Sequence, residues 1–249
     1  MFAVAQAISI PGDVAETVAR HVRLAAVAAR QGARLVVFPE LSLTSYDMGL
    51  TERDAIALDD DRLAPLAGLA ASQGLTIVAG APLATGRGLH ITALVLHSDG
   101  RRSSHTKQFL HAGEEIAFRP GAGGVPVTVG EDLVGLAICA DITHPEHAAA
   151  AAGRGATVYA AGVLISENGY AADTALMHRY AAEHRMLVLM ANYGAPTGGW
   201  VSAGRSAVWR PDGRLLAEAP ASGEAVIVAA RLGMEWHVRV VLGDGGGYA

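Results

Sequence analysis

With 249 residues, 51% of them hydrophobic, and a formal charge of −5, the chain can bury a large core and is expected to form one globular domain over residues 1–249. Its charges are dispersed, with no basic run beyond Arg101-Arg102, so nothing suggests a nucleic-acid surface, and no apolar stretch approaches bilayer-spanning length. The single cysteine, Cys139, rules out an internal disulfide, and the opening MFAVAQAISIPGD lacks a charged leader region and a cleavage site, so the cytoplasm is the expected compartment.

Residues 2–8 read as a short apolar strand. Pro11-Gly12 turns the chain, and Asp13 with Glu16 three residues on forms a capping-box signature for a helix running to about Gln31. Val14, Val18, Val22, Ala25 and Ala29 are its expected buried stripe, and Gly32 its stop. Residues 35–38 form a second buried strand, ended by Pro39. Glu40 follows at once. A carboxylate directly beyond a buried strand is poised for partial desolvation and a raised pKa, although a solvated loop glutamate has the same local signature.

A second helix is expected over 62–73, a strand over 75–81, and a further strand over 89–97 after the turn at 85–88. Asp99-Gly100 signals a hairpin into a strand from 101 to about 109. Near its end stands Lys107, the only lysine in a chain that otherwise uses arginine. That choice suits a site needing a compact ammonium, or is a compositional accident. The glycine-rich loop 110–124 has no apolar period and is expected at the surface, with Glu114 and Glu115 readable as solvated charge.

Strands over 125–129 and 133–138 lead to Cys139, which precedes a helix opened by Pro145. A thiol at the carboxyl end of a buried strand is a site candidate by position, while a cysteine is equally at home as an inert core residue. Helix 145–153, strand 156–165, helix 171–185 and strand 186–191 make another strand-helix-strand pass. A hairpin around Asp212-Gly213 and a strand over 225–230 follow. The tail, 233–249, shows no period and is expected either to fray or to dock on a partner subunit. The whole pattern is that of an α/β protein whose sheets are covered by helices.

Other site chemistries fare worse. His144, Glu146 and His147 lack the i, i+4 histidine pair of a helical zinc motif, so no metal is expected. Gly204-Arg205-Ser206-Ala207-Val208 lacks the second glycine of a nucleophile elbow. Gly121 to Gly124 lacks the lysine of a phosphate loop, and no nucleotide or other cofactor is implied.

Three blocks carry a specific resemblance. VVFPELSLTSY, HTKQFL followed by GEEIAFRPG, and GLAICADITHPE resemble the signature blocks of the nitrilase superfamily of carbon–nitrogen hydrolases, and the likeness continues through AAEHRMLVLMANYG and GRSAVWRPDGRLLAEA. It covers residues 3–230. The resemblance implies a four-layer α-β-β-α sandwich with a Glu-Lys-Cys site, carried over to Glu40, Lys107 and Cys139, and an additional active-site glutamate at Glu114. It also implies pairing of subunits through the helix after the cysteine and the C-terminal segment, as a homodimer or higher homo-oligomer.

The chemistry fits those residue types. Glu40 would take the proton of the Cys139 thiol, and Lys107 with the backbone N–H of Ala140 would hold the oxyanion. Relatives that hydrolyse nitriles usually carry Trp-Glu after the cysteine, whereas this chain has Ala140-Asp141, which favours a small amide or N-carbamoyl substrate. His144 stands where a phenylalanine is common, and Ala161-Gly162 where many relatives have a proline. Tyr46 and His144 are plausible pocket residues, with a packed tyrosine and a helix-entry histidine as the plainer alternatives. Two other functions share the same residues: a non-catalytic binder of a small metabolite, and an acyltransferase.

Overall fold

The computed structural model describes residues 1–233 and 235–243. Helix α1 (Val14–Arg30) begins at its cap, where the Asp13 carboxylate accepts from the Glu16 N–H at 2.9 Å, and the chain leaves through Gly32 at φ +82°. Its buried face is Thr17, Val18, His21, Leu24, Ala25 and Ala28. This face is rotated from the expected stripe, since Val14, Val22 and Ala29 are only its half-buried flanks. His21 is the reason. Its ring stacks on Phe38 at 4.2 Å, and both nitrogens are engaged, Nδ1 with Thr17 O at 2.8 Å and Nε2 with Ser42 Oγ at 2.9 Å. A satisfied polar side chain can thus occupy the middle of an apolar face.

The first sheet is built from β1 (Phe2–Gln6), β2 (Leu35–Val37), β3 (Thr76–Thr85), β4 (Gly88–Leu96), β5 (Arg102–Thr106), β12 (Ala225–Leu232) and β13 (Glu235–Leu242). Their spatial order is β13-β12-β1-β2-β3-β4-β5. The second sheet is built from β6 (Val127–Val129), β7 (Asp132–Ile138), β8 (Val158–Gly162), β9 (Leu187–Ala191), β10 (Ala207–Trp209) and β11 (Leu215–Glu218), in the order β11-β10-β9-β8-β7-β6. At the centre of each sheet three strands run parallel, β1-β2-β3 and β7-β8-β9, joined by α1 and α2 (Ala64–Gln73) in one and by α3 (Pro145–Gly153) and α4 (Glu167–His184) in the other. Hairpin strands extend both edges antiparallel.

Three apolar clusters define the layers. Val4, Val37 and Val78 meet Leu136, Ala160 and Leu189 between the sheets. Val18, Leu24 and Leu66 cover the outer face of the first sheet, and Ala148, Met177 and Tyr180 that of the second. Strands buried on both faces lose the alternation of a half-exposed sheet, which is why they read as continuous apolar runs. The result is the expected four-layer α-β-β-α sandwich.

Two expectations are corrected. The tail is not without a period: Glu235–Leu242 is a full strand, paired with β12 from Ala225↔Leu242 to Leu232↔Glu235. Trp236, Val238, Val240 and Leu242 pack partly against the inter-sheet cluster, while Glu235, His237 and Arg239 point out. The remainder, 244–249, lies outside the described residues. The loop after β5 is also not purely superficial, because a short turn over Glu114–Ile116 sends Glu114 and Phe118 fully into the interior. Among the described residues no helix is long and apolar enough to cross a membrane.

Candidate active site

Parallel central strands deliver side chains from both sheets to one end of the sandwich. β2 ends at Val37, and Phe38-Pro39 carry the chain to a buried Glu40. Two glycines permit this corner. A Cβ on Gly162 would lie 2.5 Å from Phe38 O, and one on Gly80 would press into Pro39 and Leu41 more closely still. Tyr193 Oη donates to Glu40 O at 2.6 Å and fixes the backbone.

Lys107 directly follows β5. Its Nζ donates to Glu40 Oε1 at 2.6 Å and to Glu114 Oε1 at 2.8 Å, and none of the three side chains has any exposure. Glu114 reaches inward from the turn opened by Gly113 at φ +97°. Its Oε1 also accepts from Tyr46 Oη at 2.9 Å, and its Oε2 from His111 N at 2.8 Å.

Cys139 follows β7 at φ +43°, a left-handed conformation unusual for a non-glycine residue, and opens a 3₁₀ turn over Cys139–Thr143. The first N–H groups of such a turn, Ala140 included, have no acceptor within it. Asp141 in this turn is fully buried. Its Oδ1 accepts from Gln108 N at 3.0 Å and Phe109 N at 2.9 Å, and its Oδ2 from Ile138 N at 3.0 Å. One carboxylate therefore ties the residues just after Lys107 to the residue just before Cys139.

The electrostatics follow from this packing. Burial pushes the Glu40 carboxyl up to about 7; the Lys107 ammonium opposes that rise and the Glu114 charge adds to it. Burial works against a charge on Lys107, but its carboxylate neighbours outweigh burial and hold it above the usual lysine range. Burial and the Glu40 charge also raise the Cys139 thiol, so it rests protonated. The thiol is near enough to Glu40 to favour the carboxylate form, and Glu40 Oε2 has no partner of good hydrogen-bond geometry. Sγ also lies 3.6 Å from Leu164 O.

Cys139 opens on a cavity of about 360 Å³ walled by Tyr46, Leu110, Ala140, Ile142, Leu164 and Trp200 among others. That is room for a small organic molecule on mostly apolar walls. Of the residues singled out in the sequence, Glu40, Lys107, Glu114, Tyr46 and Cys139 converge, and Ala140 lies beside the thiol. His144 lines the cavity too, but as the residue capping α3: its ring stacks on Phe109 at 3.7 Å and its Nδ1 is 3.2 Å from Glu146 Oε1. Asp141 was not foreseen as part of the site. Nor were His105 and His147, which form a second buried cluster with it. His105 lies in the polar stretch 101–107 and His147 directly follows Glu146, so neither stands out from its neighbours in the sequence.

Comparison with known proteins places the chain. A family model described as carbon-nitrogen hydrolase matches residues 2–232. The chain belongs to the carbon-nitrogen hydrolase family. As such it is an enzyme acting on C–N bonds other than peptide bonds. This carbon-nitrogen hydrolase is 27% identical to an aliphatic nitrilase of Sinorhizobium fredii, over 91% of its own length and 84% of the relative's. It is 32% identical to an (R)-stereoselective amidase of Pseudomonas sp, over 84% and 76% of the two chains. Among solved structures it resembles the nitrilase-superfamily amidase from Nesterenkonia sp. AN1, including a variant in complex with butyramide, with a TM-score of 0.80, 28% identity and 90% and 88% of the chains covered.

Proposed function

We propose that this carbon-nitrogen hydrolase cleaves a small amide or N-carbamoyl compound through a thioester on Cys139. The observation that carries the reading is one buried ammonium, Lys107, bonded to two carboxylates beside the single thiol at a cavity floor. Because the thiol rests protonated, its proton leaves as sulfur attacks the carbonyl carbon, and Glu40 receives it. The tetrahedral oxyanion takes the third N–H of Lys107, the other two being engaged, and the N–H of Ala140. Protonated Glu40 then gives its proton to the departing nitrogen as the C–N bond breaks, leaving the acyl group on sulfur. Water, deprotonated by Glu40, attacks the thioester, releasing the acid and restoring the thiol. Glu114 and Tyr46 orient Lys107 from behind.

Ala140-Asp141 after the cysteine, with the similarity to amidases, supports an amide over a nitrile. We also infer that the chain works as a homodimer or higher homo-oligomer, with α3 and the C-terminal strand in the contact. The substrate reading is tested by screening small amides, ureas, N-carbamoyl acids and nitriles for ammonia release. Release from an amide or carbamoyl compound, lost in Cys139→Ala, is expected. Turnover confined to nitriles would reject it, and transfer of the acyl group to an added amine with no free acid formed would mark an acyltransferase.

A further inference from the structure

Behind the proposed hydrolytic centre, three side chains from three elements converge. His105 lies on β5, Asp141 in the turn after Cys139, and His147 in the first turn of α3. They are 3%, 0% and 4% exposed, and one ligand-capable atom of each lies within 4.8 Å of the other two. His147 Nε2 is 3.8 Å from Asp141 Oδ2. The Nε2 atoms of both histidines are shut off from solvent and have no hydrogen-bond partner. Buried polar atoms are almost always satisfied, so two orphaned nitrogens on side chains grouped this closely with a carboxylate point to an occupant.

The surroundings narrow its nature. The three backbone N–H groups on Asp141 fix its carboxylate and leave a lone pair on Oδ2 for a further contact. His147 Nδ1 is hydrogen-bonded with Tyr159 Oη at 2.9 Å, which orients the ring. A ligating histidine held through its other nitrogen is the usual outer-sphere arrangement of metal sites.

We propose that His105, Asp141 and His147 bind one divalent transition-metal ion of the zinc class, separate from the hydrolytic centre. Two imidazole nitrogens and one carboxylate oxygen suit Zn²⁺, Co²⁺ or Ni²⁺, and are a poor set for Mg²⁺ or Ca²⁺. Zinc bonds of about 2.0–2.1 Å put tetrahedral ligand atoms about 3.4 Å apart. The 3.8 Å pair is thus nearly in place, and no pair, all lying within 4.8 Å, has to close by more than about 1.4 Å. The ion joins the strand that leads to Lys107, the turn that carries Cys139 and the helix behind it. The local His-Pro-Glu-His spacing is uninformative about this site, because His144 faces elsewhere and the second histidine comes from another strand.

The test uses the full chain, stripped with chelator and given Co²⁺ or Zn²⁺ both when folded and during refolding, since the site is closed. One Co²⁺ per chain is expected, with the d–d absorption of a nitrogen and oxygen site and no thiolate charge-transfer band. Zn²⁺ should displace it and raise the melting temperature, unchanged in Cys139→Ala. His105→Asn should weaken binding about tenfold or more, and Tyr159→Phe, which keeps all three ligands, should weaken it in the same direction. No bound metal at stoichiometric Co²⁺ or Zn²⁺ would mean that a buried water bridges the three atoms, and would overturn the proposal. Binding lost in Cys139→Ala but kept in His105→Asn would place the ion on the thiol and overturn it equally.

Discussion

Glu40 owes its acid-base character to where it is packed. Burial lifts its carboxyl to about 7, so the base form fails as pH falls through that value and is complete above it. The acylation step should follow: kcat/KM for a small amide is expected to rise with one-proton slope up to about pH 7 and then level off, and a profile flat from pH 5 to 8 would contradict the assignment. Glu40→Gln should lower kcat/KM by about 10² or more and remove the rising limb. At Lys107, replacement by arginine keeps the charge but loses the compact donor that fits between Glu40 and Glu114. Steady-state kinetics should show kcat reduced by about 10²-fold, and full retained activity would refute the oxyanion role.

Glu40, Lys107 and Cys139 are candidates in the sequence because each falls at or just past a strand end, and the family resemblance, not position, is what groups them as one site. Glu114 is singled out by the resemblance alone, since it and Glu115 look alike locally. The structure separates them: Glu114 turns in to meet Lys107, while Glu115 stays exposed and accepts from Gly113 N at 2.7 Å. Burial of one member of such a pair depends on a lysine from another strand, and no local pattern records it. Asp141 was hidden for the same reason, its three partners coming from two separate segments.

Among elements, strands and helices with strong periods fell where the apolar pattern put them, and the misses have physical causes. The stripe of α1 was misjudged because a polar residue, His21, lies at its centre with both nitrogens satisfied. β13 was overlooked although Trp236, Val238, Val240 and Leu242 alternate with Glu235, His237 and Arg239. Flanking glycine and charged neighbours mask a half-exposed edge strand. Tighter still is the meeting of β3 and β8 with the corner at Glu40, where glycine hydrogens are all that fits. Gly162→Ala should overpack this corner, destabilising the chain by about 1–3 kcal/mol in a denaturant midpoint and lowering kcat as Glu40 is displaced. A variant as stable and active as the parent would show that the corner tolerates movement. At the start of α1, Asp13→Ala should cost about 1 kcal/mol of stability with kinetics unchanged, since Asp13 is not among the residues that line the cavity.

For the molecule as a whole, two sheets packed face to face and sealed by helices bring three distant segments to a common end. Length and composition indicated a chain able to form such a sandwich, and strand-helix alternation indicated α/β class, but the division into two sheets required the family resemblance. Strand period does not say which strands share a sheet. The first sheet ends at β13, whose outer edge has no strand beyond it among the described residues. Sedimentation velocity should show an associated species at micromolar concentration, and a monomer throughout would reject the inferred pairing.

The proposed mechanism requires that the sulfur of Cys139 carry the acyl group. Intact-protein mass spectrometry on the enzyme quenched during turnover of a small aliphatic amide is predicted to show one acyl mass added, located on the Cys139 peptide and absent in Cys139→Ala. An acyl group found on another residue, or amide hydrolysis undiminished in Cys139→Ala, would contradict it.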